Sequence, residues 1–359
     1  MKIAFITRST LHTVPGGDTV QVTQLARQLA ALGATPTLCG AGDAIRYEDF
    51  DLLHFFNITR PADLLVHAIR SPRPFVISPV LVDYSEYDRH HRKGLSGQLL
   101  RLFSPDGGEY IKTIGRRMAG KDRLVSASYL WRGQRRSIRY ILDKAAWVLP
   151  NSATEQKALT NQYSGEKPFT IIPNGIDPQL FRRNPQVQRE KNLVICVARI
   201  EGIKNQLNLV KALNDTPYRL VLIGQAAPSQ QGYFNACRKA AAPNIEFAGH
   251  LPQEQLLTYY ERAAVHVLPS WFETCGLSSL EAAAMGCPVV ITDKGYSRDY
   301  FGEQAVYCDP ESPDSIRAAV EQAAQSQPGE QWTDHIRTHY TWQKAAEKTM
   351  EVYQEIVCR

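Results

Sequence analysis

Two successive series of short apolar runs, each alternating with helix-period segments, constrain this chain more than any other feature. The first series is Lys2 to Ile6, Thr35 to Cys39, Leu52 to Phe56, Phe75 to Ile77, Trp147 to Leu149 and Phe169 to Ile172. The second is Leu193 to Val197, Arg219 to Ile223, Ile245 to Phe247, Val265 to Leu268, Val289 to Ile291 and Val306 to Tyr307. Strands that alternate with helices pair in parallel and are covered on both faces, so each series predicts a Rossmann-like α/β domain. A polar stretch from Phe181-Arg182-Arg183-Asn184-Pro185 to Lys191 separates them and puts the boundary near 183 to 191. Two domains also suit a length of 359 residues, which is long for one core. Ligands of such sheets bind beyond the carboxyl ends of the strands.

The segment Ser270 to Gly286 carries the clearest chemistry. A helix beginning near Gly276 offers unpaired N–H groups and the positive end of its dipole, where a diphosphate can sit without a metal ion. Glu273 precedes that helix and Glu281 lies about one turn inside it. Carboxylates repel a diphosphate but accept hydrogen bonds from the hydroxyls of sugars attached to it. The constellation therefore reads as a nucleotide-sugar site, with Cys275, Gly276, Leu277 and Ser278 at the helix start. Upstream, Val197-Ala198-Arg199-Ile200-Glu201-Gly202-Ile203-Lys204 follows an apolar run and precedes a Leu207/Val210/Leu213 stripe, forming strand, loop and helix. Arg199, by its planar fork, and Lys204, as a point charge, can both reach a diphosphate. Ile171-Ile172-Pro173-Asn174-Gly175-Ile176-Asp177 contains an Asn-Gly tight-turn signal. Near the start, Pro15-Gly16-Gly17-Asp18 opens a helix whose face is Val22, Leu25, Ala26 and Leu29. Gly16 and Gly17 permit close approach of backbone to a phosphate, although no Gly-x-Gly-x-x-Gly is formed.

Glu273-x7-Glu281 followed by Ala-Ala-Ala-Met-Gly-Cys-Pro-Val-Val, together with the strings around Arg199, Asn174 and Gly16, resembles the retaining GT-B glycosyltransferases of family 4 (glycosyl transferases group 1). The closing Tyr340-Thr341-Trp342-Gln343-Lys344-Ala345-Ala346-Glu347 resembles that family's last helix, which crosses back onto the N-terminal domain. The resemblance implies two Rossmann-like domains facing across a deep cleft. Residues 1–185 with about 343–359 would form the acceptor-binding domain and 186–342 the donor-binding domain. It further implies that Glu273 contacts the donor sugar, Glu281 the ribose, and Arg199 and Lys204 the departing nucleoside diphosphate, with Asn174 at the cleft. The implied activity is metal-independent transfer of a sugar, with retention, from a UDP- or GDP-sugar to a hydroxyl of a glycan or lipid-linked acceptor. No cofactor is expected. Such chemistry belongs to cell-surface polysaccharide or glycolipid synthesis.

The chain departs from the family after its fourth strand. Many members carry a His there, whereas Ser78-Pro79-Val80-Leu81-Val82-Asp83-Tyr84 has none. Asp83 is the nearest candidate to accept the acceptor's proton or position the sugar, and it can equally cap a turn. His90 and His91 fall in a charged run and read as surface residues. His266 reads as core or cleft wall, and His54, with Asn57 after it, is a candidate for touching acceptor. Asp49-Phe50-Asp51 has metal-binding spacing but reads as a strand-entry turn, and no metal is expected.

Charge is uneven. Between Arg89 and Lys144 fourteen Lys or Arg oppose Asp106, Glu109, Asp122 and Asp143, a net +10 in a chain of net +5. Leu99 to Phe103 and Arg135 to Leu142 alternate cations with apolar residues, which suits an anionic membrane, an anionic acceptor or a solvated helix face. No nucleic-acid module accompanies the charge. The start reads as a strand rather than a signal peptide, no apolar run reaches about 18 residues, and the seven cysteines lack metal-ligand spacing. A cytoplasmic protein, peripheral on the inner face of the membrane through 89–144, is the expected setting. Three other functions share parts of this pattern: a GT-B epimerase or phosphorylase, a non-catalytic nucleotide-sugar binding protein, and an NAD-dependent oxidoreductase, the last lacking its glycine fingerprint.

Overall fold

The computed structural model describes residues 1–9, 11, 16–91, 103–118, 126–163, 165 and 167–358. They form two compact units, one of Met1–Asn174 with Trp342–Arg359 and the other of Gly175–Thr341.

The first unit holds a parallel sheet of β1 (Lys2–Thr7), β2 (Thr35–Gly40), β3 (Leu52–Phe56), β4 (Phe75–Ser78) and β5 (Trp147–Val148), in the order β2-β1-β3-β4-β5. Central strands are mostly apolar because helices cover both faces: Ile3 to Ile6 and all of β3, His54 included, are buried. The edge strand β2 alternates instead. The strand expected at Phe169 to Ile172 is a correction. An isolated bridge, Val148 to Phe169, forms there in place of a strand, with Thr170 N–H donating to Val148 O and Ile172 N–H to Pro150 O. Pro150, opposite this run, has no N–H to return, so the ladder goes no further, and Phe169 stays exposed. The helix Trp342–Val357 completes this unit, burying Ala346, Thr349, Val352 and Tyr353.

His54 corrects another expectation. It is fully buried, with Nδ1 2.6 Å from the Tyr353 hydroxyl and Nε2 2.9 Å from that of Ser78. Burial pushes its imidazole down to about 3, so it ties the last helix to the sheet as a neutral ring and is not a ligand of acceptor.

The second unit holds β6 (Glu190–Val197), β7 (Arg219–Ile223), β8 (Ile245–Gly249), β9 (Ala263–Leu268), β10 (Val289–Thr292) and β11 (Val306–Cys308), all parallel, in the order β11-β10-β9-β6-β7-β8. Chain order reverses between β6 and β9, which makes the gap beyond their carboxyl ends the place where a ligand fits an open α/β sheet. The division between units falls before the expected 183 to 191, because Ile176 and Phe181 are already buried in the second core. The Ile176 N–H donates to Tyr340 O at 2.9 Å. That tether also removes the tight turn expected at Asn174-Gly175. The backbone instead runs through to a bridge between Ile176 and Thr341, and the turn falls at Pro178–Leu180, where the Asp177 carboxylate accepts from Gln179 N–H.

Candidate functional site

Four loops meet beyond the carboxyl ends of β6, β7, β9 and β10. The loop after β6 carries Arg199 and Lys204, and its exit is fixed by Asn205 in the left-handed region (φ 59°). The Asn205 amide donates to Pro269 O and Pro310 O, at 3.1 and 2.7 Å, lashing the β6 loop to those after β9 and β11. Trp271 N–H donates to Ile203 O at 3.0 Å. These bonds bring Lys204 beside Glu273.

Lys204 Nζ lies 2.5 Å from Glu273 Oε1, which also accepts from the Ser270 hydroxyl at 2.6 Å. Glu273 is almost wholly buried, so its charge depends on those two donors. Its backbone is fixed as firmly. Glu273 N–H donates to Lys294 O and Tyr296 N–H to Glu273 O. Gly295 (φ 110°) packs so closely under it that a Cβ would stand 2.1 Å from Glu273 O. Gly224 (φ 144°), after β7, is equally tight: a Cβ there would come within 2.0 Å of Ala198 O, beneath Arg199.

The helix expected after Glu273 spans Leu277–Ala284, capped by Gly276 in the left-handed region (φ 72°). Cys275 and Gly276 are buried, while Leu277 and Ser278 keep partial exposure. Glu281 accepts from the Tyr260 hydroxyl at 2.8 Å. Burial pushes its carboxyl up to about 7, against the lowering effect of that hydrogen bond. Arg199, more exposed, pairs with Glu201 at 2.9 Å. Arg199, Lys204, Glu273, Gly276 and Glu281 thus share the second unit. His266 is core: it is fully buried, 3.3 Å from the Ser279 hydroxyl, and burial lowers its imidazole to about 3.

The other predicted site residues belong to the first unit. Gly16 precedes the helix Gly17–Ala31 with extended backbone (φ −151°), a conformation open to any residue, and its N–H donates to Thr19 Oγ1 at 3.0 Å. Pro15 and the side chains of His90 and His91 lie outside the described residues. Asn174 is buried. Asp83 caps a turn, accepting from Ser85 N–H at 2.9 Å, and lines a cavity of about 490 Å³ within this unit. Asp88, Asp106, Glu109 and Arg135 share that wall. Lys112 pairs with Asp88 at 2.7 Å and with Glu109, and Arg135 pairs with Asp106 at 3.1 Å, so these two cations of the basic segment serve internal ion pairs. Of its two amphipathic stretches, Leu99 to Leu102 lie outside the described residues. In Asp49-Phe50-Asp51, Asp51 accepts from Lys2 N–H at 2.7 Å, as a strand-entry turn requires.

The sequence alone passed over Ser270, Tyr260, Glu201, Gly224 and Gly295. Each acts on a site residue through the fold, and only the two glycines, each after an apolar run, left a local trace.

Comparison with known proteins bears on this second unit first. The family described as glycosyl transferases group 1 matches residues 178–342. A glycogen synthase of Mycobacterium tuberculosis is 28% identical over 218 residues, covering 56% of the chain and 52% of the synthase. The chain thus spans about half the length of that relative. Among solved structures, the sucrose-phosphate synthase of Thermosynechococcus elongatus superposes with a TM-score of 0.76 at 16% identity, covering 99% of each chain. Anabaena HepE, in complex with UDP-glucose, superposes with a TM-score of 0.69 at 15% identity, over 99% of this chain and 100% of that one. These likenesses give the two-domain α/β fold called GT-B.

Proposed function

We propose that this chain, which has the GT-B fold, is a group 1 glycosyltransferase that moves a sugar from a nucleoside diphosphate sugar to an acceptor hydroxyl, with retention and without a metal ion. The observation that carries the proposal is the Lys204–Glu273–Ser270 cluster beside the Gly276 helix start, at the switch point between β6 and β9. HepE, of the same fold, was solved with UDP-glucose, which supports a UDP-sugar as the first donor to try.

In this mechanism the diphosphate sits against the N–H groups of Gly276 to Ser278, with Arg199 and Lys204 as cationic donors. Its arrival gives Lys204 a second anion to share with Glu273, whose carboxylate then accepts from a sugar hydroxyl. Glu281 accepts from the ribose. The acceptor oxygen attacks the anomeric carbon on the face the leaving group vacates, the bond to the diphosphate oxygen breaks, and that phosphate takes the acceptor's proton. Preorganised donors stabilise the departing charge, so no protein nucleophile is required. Asp83, in the first unit's cavity, would orient a hydroxylated acceptor, a glycan or lipid-linked sugar. Gly16, Gly17 and Asn174 complete the proposed set.

The direct test is a panel of UDP- and GDP-sugars with glycan acceptors, run in excess EDTA. Transfer or donor hydrolysis should persist there. Loss of all turnover in chelator, restored by magnesium or manganese, would overturn the metal-free mechanism.

Glu281 gives a pH-dependent result. Burial pushes its carboxyl up to about 7, and only the ionised form is the full acceptor required by ribose. UDP affinity should therefore weaken by about tenfold per pH unit below about 7. Glu281→Gln should remove that slope and bind weakly throughout. Ionisation of UDP itself is common to both proteins and cancels in their ratio. Glu273→Gln should leave UDP affinity near normal and reduce donor-sugar turnover. Calorimetry showing equal slopes in wild type and Glu281→Gln would refute the ribose contact.

We further propose contact with an anionic membrane through 89–144, and hence a cytoplasmic, peripheral setting. Supporting this are the local net charge and the exposure of Trp131 (89%) and Leu130 at the start of the Arg-rich helix Ser128–Lys144. Among the described residues, no helix is long and apolar enough to cross a membrane. Sedimentation with phosphatidylserine vesicles should be strong at low salt, and reduced by Trp131→Ala. Absence of binding at low salt would defeat the proposal.

A further inference from the structure

Glu155 is fully buried in the first turn of the helix Ala153–Tyr163, and the mechanism above does not use it. A charged side chain so placed needs partners, and it has two backbone ones. Its Oε1 accepts from Leu81 N–H at 2.6 Å and its Oε2 from Asn151 N–H at 2.5 Å. Asn151 Oδ1 in turn accepts from the Gln21 amide at 2.9 Å, so the carboxylate stands between the loops after β4 and β5.

The loop after β4 is also where the backbone is strained. Val80 has φ 46°, a region that a β-branched residue enters only when its surroundings force it. Two bonds bracket it: Ile58 N–H donates to Pro79 O at 2.7 Å, and Leu81 N–H donates to Glu155. Directly after that bend come Val82, Asp83, Tyr84 and Ser85, all on the wall of the 490 Å³ cavity. We infer that Glu155 is a positioning residue: its carboxylate holds the strained bend at Val80 and thereby aims Asp83 into the cavity of the first unit. The role of Asp83 in transfer rests on the function proposed above. The pin on the loop does not.

The test separates the two. Glu155→Gln keeps the size of the side chain but offers one acceptor where two N–H groups point, so one of them faces an N–H₂. Hydrogen exchange of the Leu81 to Ser85 amides in Glu155→Gln should quicken by about ten- to a hundredfold, while exchange in the second unit and UDP affinity stay unchanged. Val80→Gly removes the penalty for positive φ. Added to Glu155→Gln, it should restore most of the lost protection and, if Asp83 serves transfer, most of the lost turnover of UDP-glucose. A carboxylate that merely fills the core of its own helix would gain nothing from a change at position 80. Unaltered exchange of 81–85 in folded Glu155→Gln overturns the inference. So does a double variant as poorly protected as Glu155→Gln alone, or one that still fails to fold, since the demand then lies elsewhere than the bend. Slow turnover with UDP-glucose in wild type would count against the proposed donor and leave the exchange result readable.

Discussion

Arg199→Ala and Lys204→Ala should each lower transfer turnover by on the order of a hundredfold or more, because each removes a charge-assisted donor from the departing diphosphate. Their effects on the resting protein should differ in degree. Arg199 is 38% exposed while its partner Glu201 keeps 8%, so its loss takes a partly screened cation from a largely buried carboxylate and should cost less than the loss of Lys204. Lys204 is the cationic partner of buried Glu273, and its removal leaves that carboxylate with the Ser270 hydroxyl alone among the bonds described above. Uncompensated buried charge of this kind costs about 3 kcal/mol or more. Lys204→Ala should therefore be both slow and less stable, whereas Lys204→Ala with Glu273→Gln should recover stability without recovering turnover. Steady-state kinetics beside thermal melts decide the matter. Near-normal kinetics in both single variants would remove these residues from the diphosphate site.

With Gly224→Ala, Gly295→Ala should be among the most damaging single-methyl changes in the second unit. The added Cβ would stand 2.1 Å from Glu273 O and 2.9 Å from Glu273 N, both backbone atoms, at a residue whose φ of 110° already excludes ordinary side chains. Overpacking and positive-φ strain together should cost roughly 2 to 5 kcal/mol. Relief can come only by moving Glu273, so sugar-dependent turnover should fall further than UDP affinity. Gly302→Ala is a fitting control. It too has positive φ (48°), but nothing lies within 4 Å of its Cβ, so it should show the strain and not the displacement. Equal losses in the two variants would mean that close packing under Glu273 does not matter.

What the sequence disclosed follows from how local each signal is. Continuous apolar runs betray central parallel strands, and Gly276 before Leu277–Ala284 betrays a helix start, because both patterns are written in adjacent residues. The strand expected at Phe169 to Ile172 had the right residue types, and Pro150 opposite it, without an N–H, cut its ladder short. His54 looked available because sequence shows the strand but not the helix that returns to cover it, some three hundred residues later, with Tyr353. The polar stretch after Phe181 was visible, while the burial of Ile176 and Phe181 that moves the boundary was not. Of the candidate site, charge types, spacing and the family resemblance pointed to Arg199, Lys204, Glu273 and Glu281, which the fold gathers in the second unit. Their mutual pairing, and the supports from Ser270, Tyr260 and Gly295, depend on strands separated in sequence by the crossovers of the sheet.

The helix Trp342–Val357 has a consequence for the order in which this protein assembles. The second unit is one unbroken stretch of chain, Gly175–Thr341, and contains every strand of its own sheet. The first is interrupted. Its sheet is synthesised early, yet buried His54 and the face of the helix Gly17–Ala31 await partners, Tyr353 among them, that the ribosome adds only after the whole second unit has been made. Domains ordinarily fold from the N-terminus onward as they emerge. Here the unit begun first is the one finished last, and until residues 342–358 arrive it presents an uncovered apolar flank.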